Sequence, residues 1–275
     1  MFLVAVILIL QEILEAALLL SVLLAVNQQM GPHLAGTRKL TLHWYAAAIV
    51  TGIFGAALFA WAMPTVSEWF DYVGQEVINA LMHLVVIGGL YTHCLLLQTN
   101  ARQTPGPHIG AGVALIVVIT LSITREGAEI FLYINGIIGT PTAVTPALLG
   151  AGLAGGIGIS AGILLYYSLV GFSRVVTLRI GLVLLALFAG NMAAQTILLL
   201  TQADWMPYTP QLWDTTGLLT EYSVTGQLLY ALIGYEATPS LAQAVAYIAA
   251  MLLLASTPLF RRSWGKQSPH AGSPA

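Results

Sequence analysis

Residues 123–133 read Ile123-Thr124-Arg125-Glu126-Gly127-Ala128-Glu129-Ile130-Phe131-Leu132-Tyr133, which sets three charged side chains in the middle of a long apolar run. An ionised side chain at the centre of a membrane helix costs roughly 2.5–3.5 kcal/mol on insertion scales, and other estimates run higher. Packing alone seldom tolerates that, so the triplet points to function. A second copy, one charge weaker, stands near the N-terminus as Gln11-Glu12-Ile13-Leu14-Glu15. Two copies of one costly pattern imply one shared site.

The surrounding chain is 58% hydrophobic and only 7% charged, against about 25% charged in an ordinary soluble domain. It therefore reads as a membrane protein. A net charge of -2 says nothing about nucleic acid, but no basic run points to it, so no nucleic-acid partner is expected. The lone Cys94 excludes an internal disulfide and any multi-thiolate metal cage. Phe2 to Leu10 is apolar, but no basic residues precede it and Glu12 interrupts it, so a retained helix is expected rather than a signal peptide.

Seven segments reach the roughly 17–25 apolar residues that span a bilayer. They run approximately Phe2 to Val26, His43 to Ala62, Glu76 to Leu97, Ile109 to Asn135, Ala147 to Val170, Leu178 to Gln202 and Leu241 to Phe260. The expected fold class is all-α and polytopic, within a single transmembrane domain over residues 1–262. Lys and Arg fall on alternate connections: Arg38 and Lys39, Arg102, Arg174 and Arg179, then Arg261, Arg262 and Lys266. The other connections carry Glu68, Asp71, Asp204, Asp214, Glu221 and Glu236 without any Lys or Arg. This places the N-terminus outside and the C-terminus inside. Arg125 alone escapes the pattern.

In the fifth segment the pairs Gly152/Gly156 and Gly158/Gly162 are spaced four apart, which lets helix backbones approach closely. The connection 203–240 is too long for a turn, and its aromatics, with the short apolar stretch Val224 to Ile233, predict an interfacial or re-entrant segment. Residues 263–275, rich in Gly, Ser and Pro, are expected to form a disordered cytoplasmic tail.

Glu12 and Glu15 map onto Glu126 and Glu129 at one constant offset, and Leu18 maps onto Leu132. Three spans separate the copies, so the second crosses in the opposite direction. That predicts a 3+3 inverted repeat, with repeat one at about 2–97 and repeat two at about 109–202, as in transporters whose sites lie at the midplane. The seventh helix, about 241–260, stands outside it. In each copy the acids are three apart and share a helix face. Four carboxylates around one volume form a hard-donor site suited to a hard cation, without naming it. The competing reading is a set of protonated acids that merely hydrogen-bond between helices.

The paired motifs resemble those of the oxidase-dependent iron permeases, a family with Arg-Glu-x-x-Glu in its first and fourth membrane helices. Arg125-Glu126-Gly127-Ala128-Glu129 matches in full, and Trp213-Asp214, Gly226, Leu228-Leu229, Gly234-Tyr235, Pro239-Ser240, Gln243 and Tyr247 extend the likeness. The resemblance implies inward iron transport across the plasma or inner membrane. It also implies Glu12, Glu15, Glu126 and Glu129 as iron ligands, and an extracytoplasmic oxidase or iron-delivery partner. Gln11 departs from the family's Arg, and Ile13 from its common Gly. One positive charge, Arg125, is then left to temper four carboxylates, and a cation entering them would displace protons.

Ser122 and Tyr133 extend the Glu126/Glu129 face as steps in the ion path, as donors orienting the carboxylates, or as helix-to-helix hydrogen bonds. Asn191 and Gln195 line the cavity or join helices. Glu68, Asp71 and Glu76 form a candidate entrance that draws cations inward, against the plainer reading of solvated loop acids. His83 and His93, ten apart, make no joint site; His83 reads as a hydrogen-bonded packing residue, with a lone cavity residue as the alternative. No phosphate-binding loop is present, so ATP is not the direct energy source. The chain is expected to be a permease and not an enzyme, with iron as cargo rather than cofactor, and with room for a homo-oligomer. A permease for another divalent cation, such as Mn2+, is the alternative. A di-iron carboxylate oxidase is a weaker one, because its Glu-x-x-His pairs are missing.

Overall fold

A computed structural model of the chain describes residues 2–30, 38–99, 109–138, 141–220 and 223–257. Arg102, the basic residues Arg261, Arg262 and Lys266, Glu221 and the 263–275 tail lie outside these. Among the described residues there are nine helices: α1 (Phe2–Met30), α2 (Arg38–Ser67), α3 (Trp69–Tyr72), α4 (Gly74–Thr99), α5 (Ile109–Ile138), α6 (Pro141–Gly171), α7 (Arg174–Gln202), α8 (Val224–Ile233) and α9 (Leu241–Ala255). Their pairing leaves one isolated bridge, Gln211 to Ser240, as the extended contact seen among those residues.

Five of the helices, α1, α2, α4, α6 and α7, are long and apolar enough to cross a bilayer. Large side chains such as Phe54, Trp61, Leu149 and Leu164 stay exposed on α2 and α6, as a lipid-facing surface requires. The protein is thus all-helical, multi-pass and membrane-embedded. α5 has the length, at 30 residues, but carries the three charges. α9 has 15 residues, about 22 Å at 1.5 Å per residue, and the remainder of the expected seventh segment, from 258 onward, is outside the described residues.

Pairing runs between the two halves of the chain. α1 packs chiefly along α6, and α2 along α5; α4 sits against α5 and α7, and α9 against α7. The cause lies in two stripes of small residues, Ala48-Gly52-Ala56-Ala60 on α2 and Gly150-Ala154-Gly158-Gly162 on α6. All eight are buried, and the two sets keep one constant offset. Bare backbone there accepts side-chain hydrogen bonds from the opposing helix. Ser21 donates to Gly162 O at 2.7 Å, Thr124 to Gly52 O at 3.3 Å and Thr120 to Ala48 O at 3.3 Å. Lipid gives no hydrophobic drive for helix association, so close packing and such bonds hold the helices together.

This corrects the glycine reading in part. Gly158 and Gly162 lie against Ile13 and Ala17, but a side chain at Gly152 or Gly156 would meet open space. Those two face outward, and the α2 stripe does the matching work with alanines that spacing alone did not single out.

In the described part of the 203–240 connection, both ends of α8 are set by specific residues. Ser223 caps its start by accepting from Gly226 N at 3.0 Å, and Gly234, at φ 66, ends it in the left-handed conformation. A side chain on Gly234 would collide with Asn191, which assigns Asn191 to joining α7 to this turn. Ser240 and Gln243 then form a capping box that starts α9. Tyr247 OH donates to Ile233 O at 2.5 Å, closing α8 onto α9.

Candidate metal centre

Three carboxylates meet inside the bundle. Oxygens of Glu12 from α1 and of Glu126 and Glu129 from α5 all lie within 4.8 Å of one another. Glu126 and Glu129 are three apart and share a face, as the spacing predicts. Gly127, between them, permits the close approach of α2, since a Cβ there would lie 2.8 Å from that of Ala56.

Arg125 is the hub of the charge network. Its Nη1 donates to both oxygens of Glu126 at 2.7 and 2.8 Å. Nη2 lies 3.3 Å from Glu129 Oε1, and Nη1 lies 3.7 Å from Glu15 Oε2 on α1. The expected grouping of four carboxylates therefore needs a correction. Glu15 stands outside the converging three and is drawn to the guanidinium, with Gln11 within hydrogen-bonding reach one turn back. A single positive side chain cannot serve both helices evenly, and α1 has none of its own.

Exposure is graded along the site. The side chain of Glu129 is 37% accessible, that of Glu126 only 3%, and those of Glu15 and Arg125 both 11%. The open end is thus at Glu129. The antiparallel pair α4/α5 is registered by His93 Nδ1 at 2.9 Å from Ala111 O, by Leu96 against Gly110, and by Gly89 against Ala114 and Val118. Continued along the helices, this register sets Glu76 level with Glu129, Asn79 with Glu126 and His83 with Ser122. Glu76 is half-buried in the first turn of α4, while Glu68 and Asp71 are exposed beyond it at the same end. Asp71 lies in a run of left-handed residues, Phe70, Asp71 and Tyr72, and Phe70 packs edge-on against Trp205 with ring centroids 5.6 Å apart. Farther out, Asp214 accepts from Thr216 Oγ1 at 2.6 Å and Thr216 N at 2.9 Å, which holds its carboxyl below the usual aspartate range.

The other polar residues divide sharply. Ser122 Oγ and Tyr133 OH are buried without a hydrogen-bond partner, as are Asn79 Oδ1, Gln227 Oε1 and both ring nitrogens of His83. The packing reading of His83 as a hydrogen-bonded residue is therefore wrong. His93 is the opposite case. Ala111 O can only accept, so Nδ1 donates to it; Nε2 is 3.2 Å from Asn27, whose amide also meets Tyr45 OH at 2.7 Å. Asn27 Oδ1 is the atom that faces Nε2, and its NH2 donates to Tyr45 OH, so each ring nitrogen has a polar neighbour.

Three residues were missed by spacing. Asn79 stands one turn before His83. Tyr230 and Gln227, three apart on α8, gave a faint signal as polar residues in an apolar stretch, and Tyr230 lies close enough to Glu15, Glu12 and Glu126 to feel their charge. Comparison with family models, curated proteins and solved structures gave no match. Function is therefore read from the site.

Proposed function

We propose that the protein is a permease that moves iron inward across the cell membrane, of the oxidase-dependent iron permease type. The observation that carries this reading is the meeting of Glu12, Glu126 and Glu129 oxygens within 4.8 Å inside a membrane bundle. Carboxylates are hard donors suited to a hard cation, and intramembrane acids mark ion pathways. Iron is the cargo, and no resident cofactor is invoked.

In this reading α5 and α9 complete seven spans, with the N-terminus outside and the C-terminus inside. Helices α1, α2 and α4 form one repeat, and α5, α6 and α7 an inverted second. Two observations support the repeat. Exchange of the halves turns the α1/α6 contact into the α5/α2 contact and the α4/α5 contact into α7/α1. The small-residue stripes on α2 and α6 also match position for position.

The exposure gradient supports one order of events. A cation gathered by Glu68, Asp71 and Glu76 meets Glu129 first, then Glu126 and Glu12. Arg125 already holds both oxygens of Glu126, so the cation must displace it, and Glu15 offers the guanidinium its next partner. Protons leave the carboxylates as the cation binds. Tyr230 and Ser122 flank the path. An extracytoplasmic oxidase or iron-delivery protein would supply the ion, and a homo-oligomer is compatible with the lipid-facing surfaces.

The test is uptake of labelled Fe2+ and Fe3+ into liposomes holding the full chain and an internal pH dye, with Mn2+ and Zn2+ as competitors. Iron uptake with counter-movement of protons is expected. Preferred uptake of Mn2+ would reassign the cargo, and uptake of neither metal would overturn the permease reading.

A further inference from the structure

We propose that His83, with Asn79 one turn away on α4 and Ser122 opposite on α5, forms a nitrogen-and-oxygen binding station for a divalent transition-metal ion beside the glutamate cluster. The station favours such ions over Ca2+ and Mg2+. This deepens the permease reading and rests on the glutamates being a cation site.

Buried polar groups in proteins are almost always hydrogen-bonded, and exceptions call for an explanation. His83 is 2% exposed, Asn79 4% and Ser122 5%, yet His83 Nδ1 and Nε2, Asn79 Oδ1 and Ser122 Oγ all lack a partner. Three such residues within one helical turn of each other along the α4/α5 pair leave four polar atoms unused. The α4/α5 register puts Ser122 level with His83 and Asn79 level with Glu126, so the cluster adjoins the carboxylates. Arg125 lies near enough to the His83 ring for its charge to act there, but that charge is met by Glu126, Glu129 and Glu15.

His93 supplies an internal control. The same helix, ten residues on, buries a second histidine and gives each of its nitrogens a polar neighbour, Ala111 O at 2.9 Å and Asn27 Oδ1 at 3.2 Å. Packing a histidine in α4 therefore has a solution that position 83 does not use. The donor set explains the difference. Neutral imidazole suits Fe, Zn and related ions, while Ca2+ and Mg2+ take oxygen ligands. A purely carboxylate site discriminates poorly between these groups. One nitrogen donor adds that discrimination.

The experiment uses the full chain in nanodiscs, with His33, His43, His108 and His270 changed to Gln to silence the other histidines outside α4. One equivalent of Mn2+ serves as the probe, and nitrogen coupling to the ion is read by electron spin echo spectroscopy. Coupling is expected in this parent and in His93→Gln, and is expected to vanish in His83→Gln. In liposomes, the Ca2+ concentration that halves Mn2+ uptake should fall about tenfold in His83→Gln, the scale on which a metal site responds to loss of a supporting group. His83→Asn, read the same way, serves if the first variant fails to fold by size-exclusion chromatography. Glu126→Gln separates the two readings. If it abolishes Mn2+ uptake while the His83 variants keep nitrogen coupling and Ca2+ competition unchanged, the station is overturned and the glutamate site stands. If Glu126→Gln binds and transports as the parent does, both fall.

Discussion

Arg125-Glu126-Gly127-Ala128-Glu129 on α5 and Gln11-Glu12-Ile13-Leu14-Glu15 on α1 carry their acids at the same spacing but hold them in different ways. On α5 the arginine grips both acids of its own motif, at 2.7 and 3.3 Å. On α1 a glutamine stands in its place, and Glu15 leans toward the other helix's guanidinium at 3.7 Å. Glu12 is left to join Glu126 and Glu129. Equal spacing therefore does not yield equal roles, because one charge must serve two copies. Glu12 and Glu126, the first acids of the two motifs, come together, and the second acids diverge: Glu129 opens toward solvent, Glu15 lies toward Arg125.

The largest effects should fall on the converging acids. Glu126→Gln and Glu12→Gln are each expected to reduce iron uptake into liposomes by more than the roughly 10–100-fold that loss of an outer partner causes. Glu15→Gln should stay at the low end of that range. Equal losses at Glu12 and Glu15 would break the comparison and restore four equivalent ligands.

Stability should separate Arg125 from Gln11. Arg125→Ala leaves buried carboxylates without their counter-charge and should destabilise the protein by about 3–5 kcal/mol. Gln11→Ala removes one hydrogen-bonding group and should cost about 1 kcal/mol. Denaturant unfolding in micelles checks both, and similar values would show that Arg125 is not the hub.

The small-residue stripes admit a milder test. A Cβ at Gly158 would lie 2.6 Å from Ile13 Cγ2, and at Gly52 2.7 Å from Ile123 Cβ. Alanine at either should destabilise by about 1–3 kcal/mol, as overpacking does. Gly156→Ala, which meets open space, should change stability by no more than about 0.5 kcal/mol. The last test is of selectivity, with Gln11→Arg, which makes the copies alike. It lowers the surplus of negative charge, so the ratio of Fe3+ to Fe2+ bound at equilibrium, measured by labelled-iron titration, should fall. An unchanged ratio would mean that Gln11 does not set the asymmetry.

Much of this was legible along the chain. Three charges in an apolar run located α5, constant spacing located its partner on α1, and apolar stretches from Val224 and from Leu241 located α8 and α9. The displaced role of Glu15 was not legible, because it depends on how far one guanidinium reaches across two helices. His83 was misread for a similar reason. Whether a buried imidazole finds a partner is decided by the α4/α5 register, a relation between segments and not a property of either. The α2 stripe was overlooked because three of its four members are alanines, which are ordinary in any apolar helix, whereas the glycines of α6 drew notice even where they face outward.

The pairing of α1 with α6 and of α2 with α5 also sets an order for biogenesis. When the ribosome has completed residues 2–99, the stripe on α2 has no α5 to meet and the glutamates of α1 have no Arg125. Two acids must then wait in the bilayer or in the insertion machinery until the later helices arrive. The first half is an intermediate that cannot mature alone. Two separately synthesised halves, divided between residues 99 and 109, should nonetheless find each other, since the main partners of α1 and α2, α6 and α5, are held by the other half.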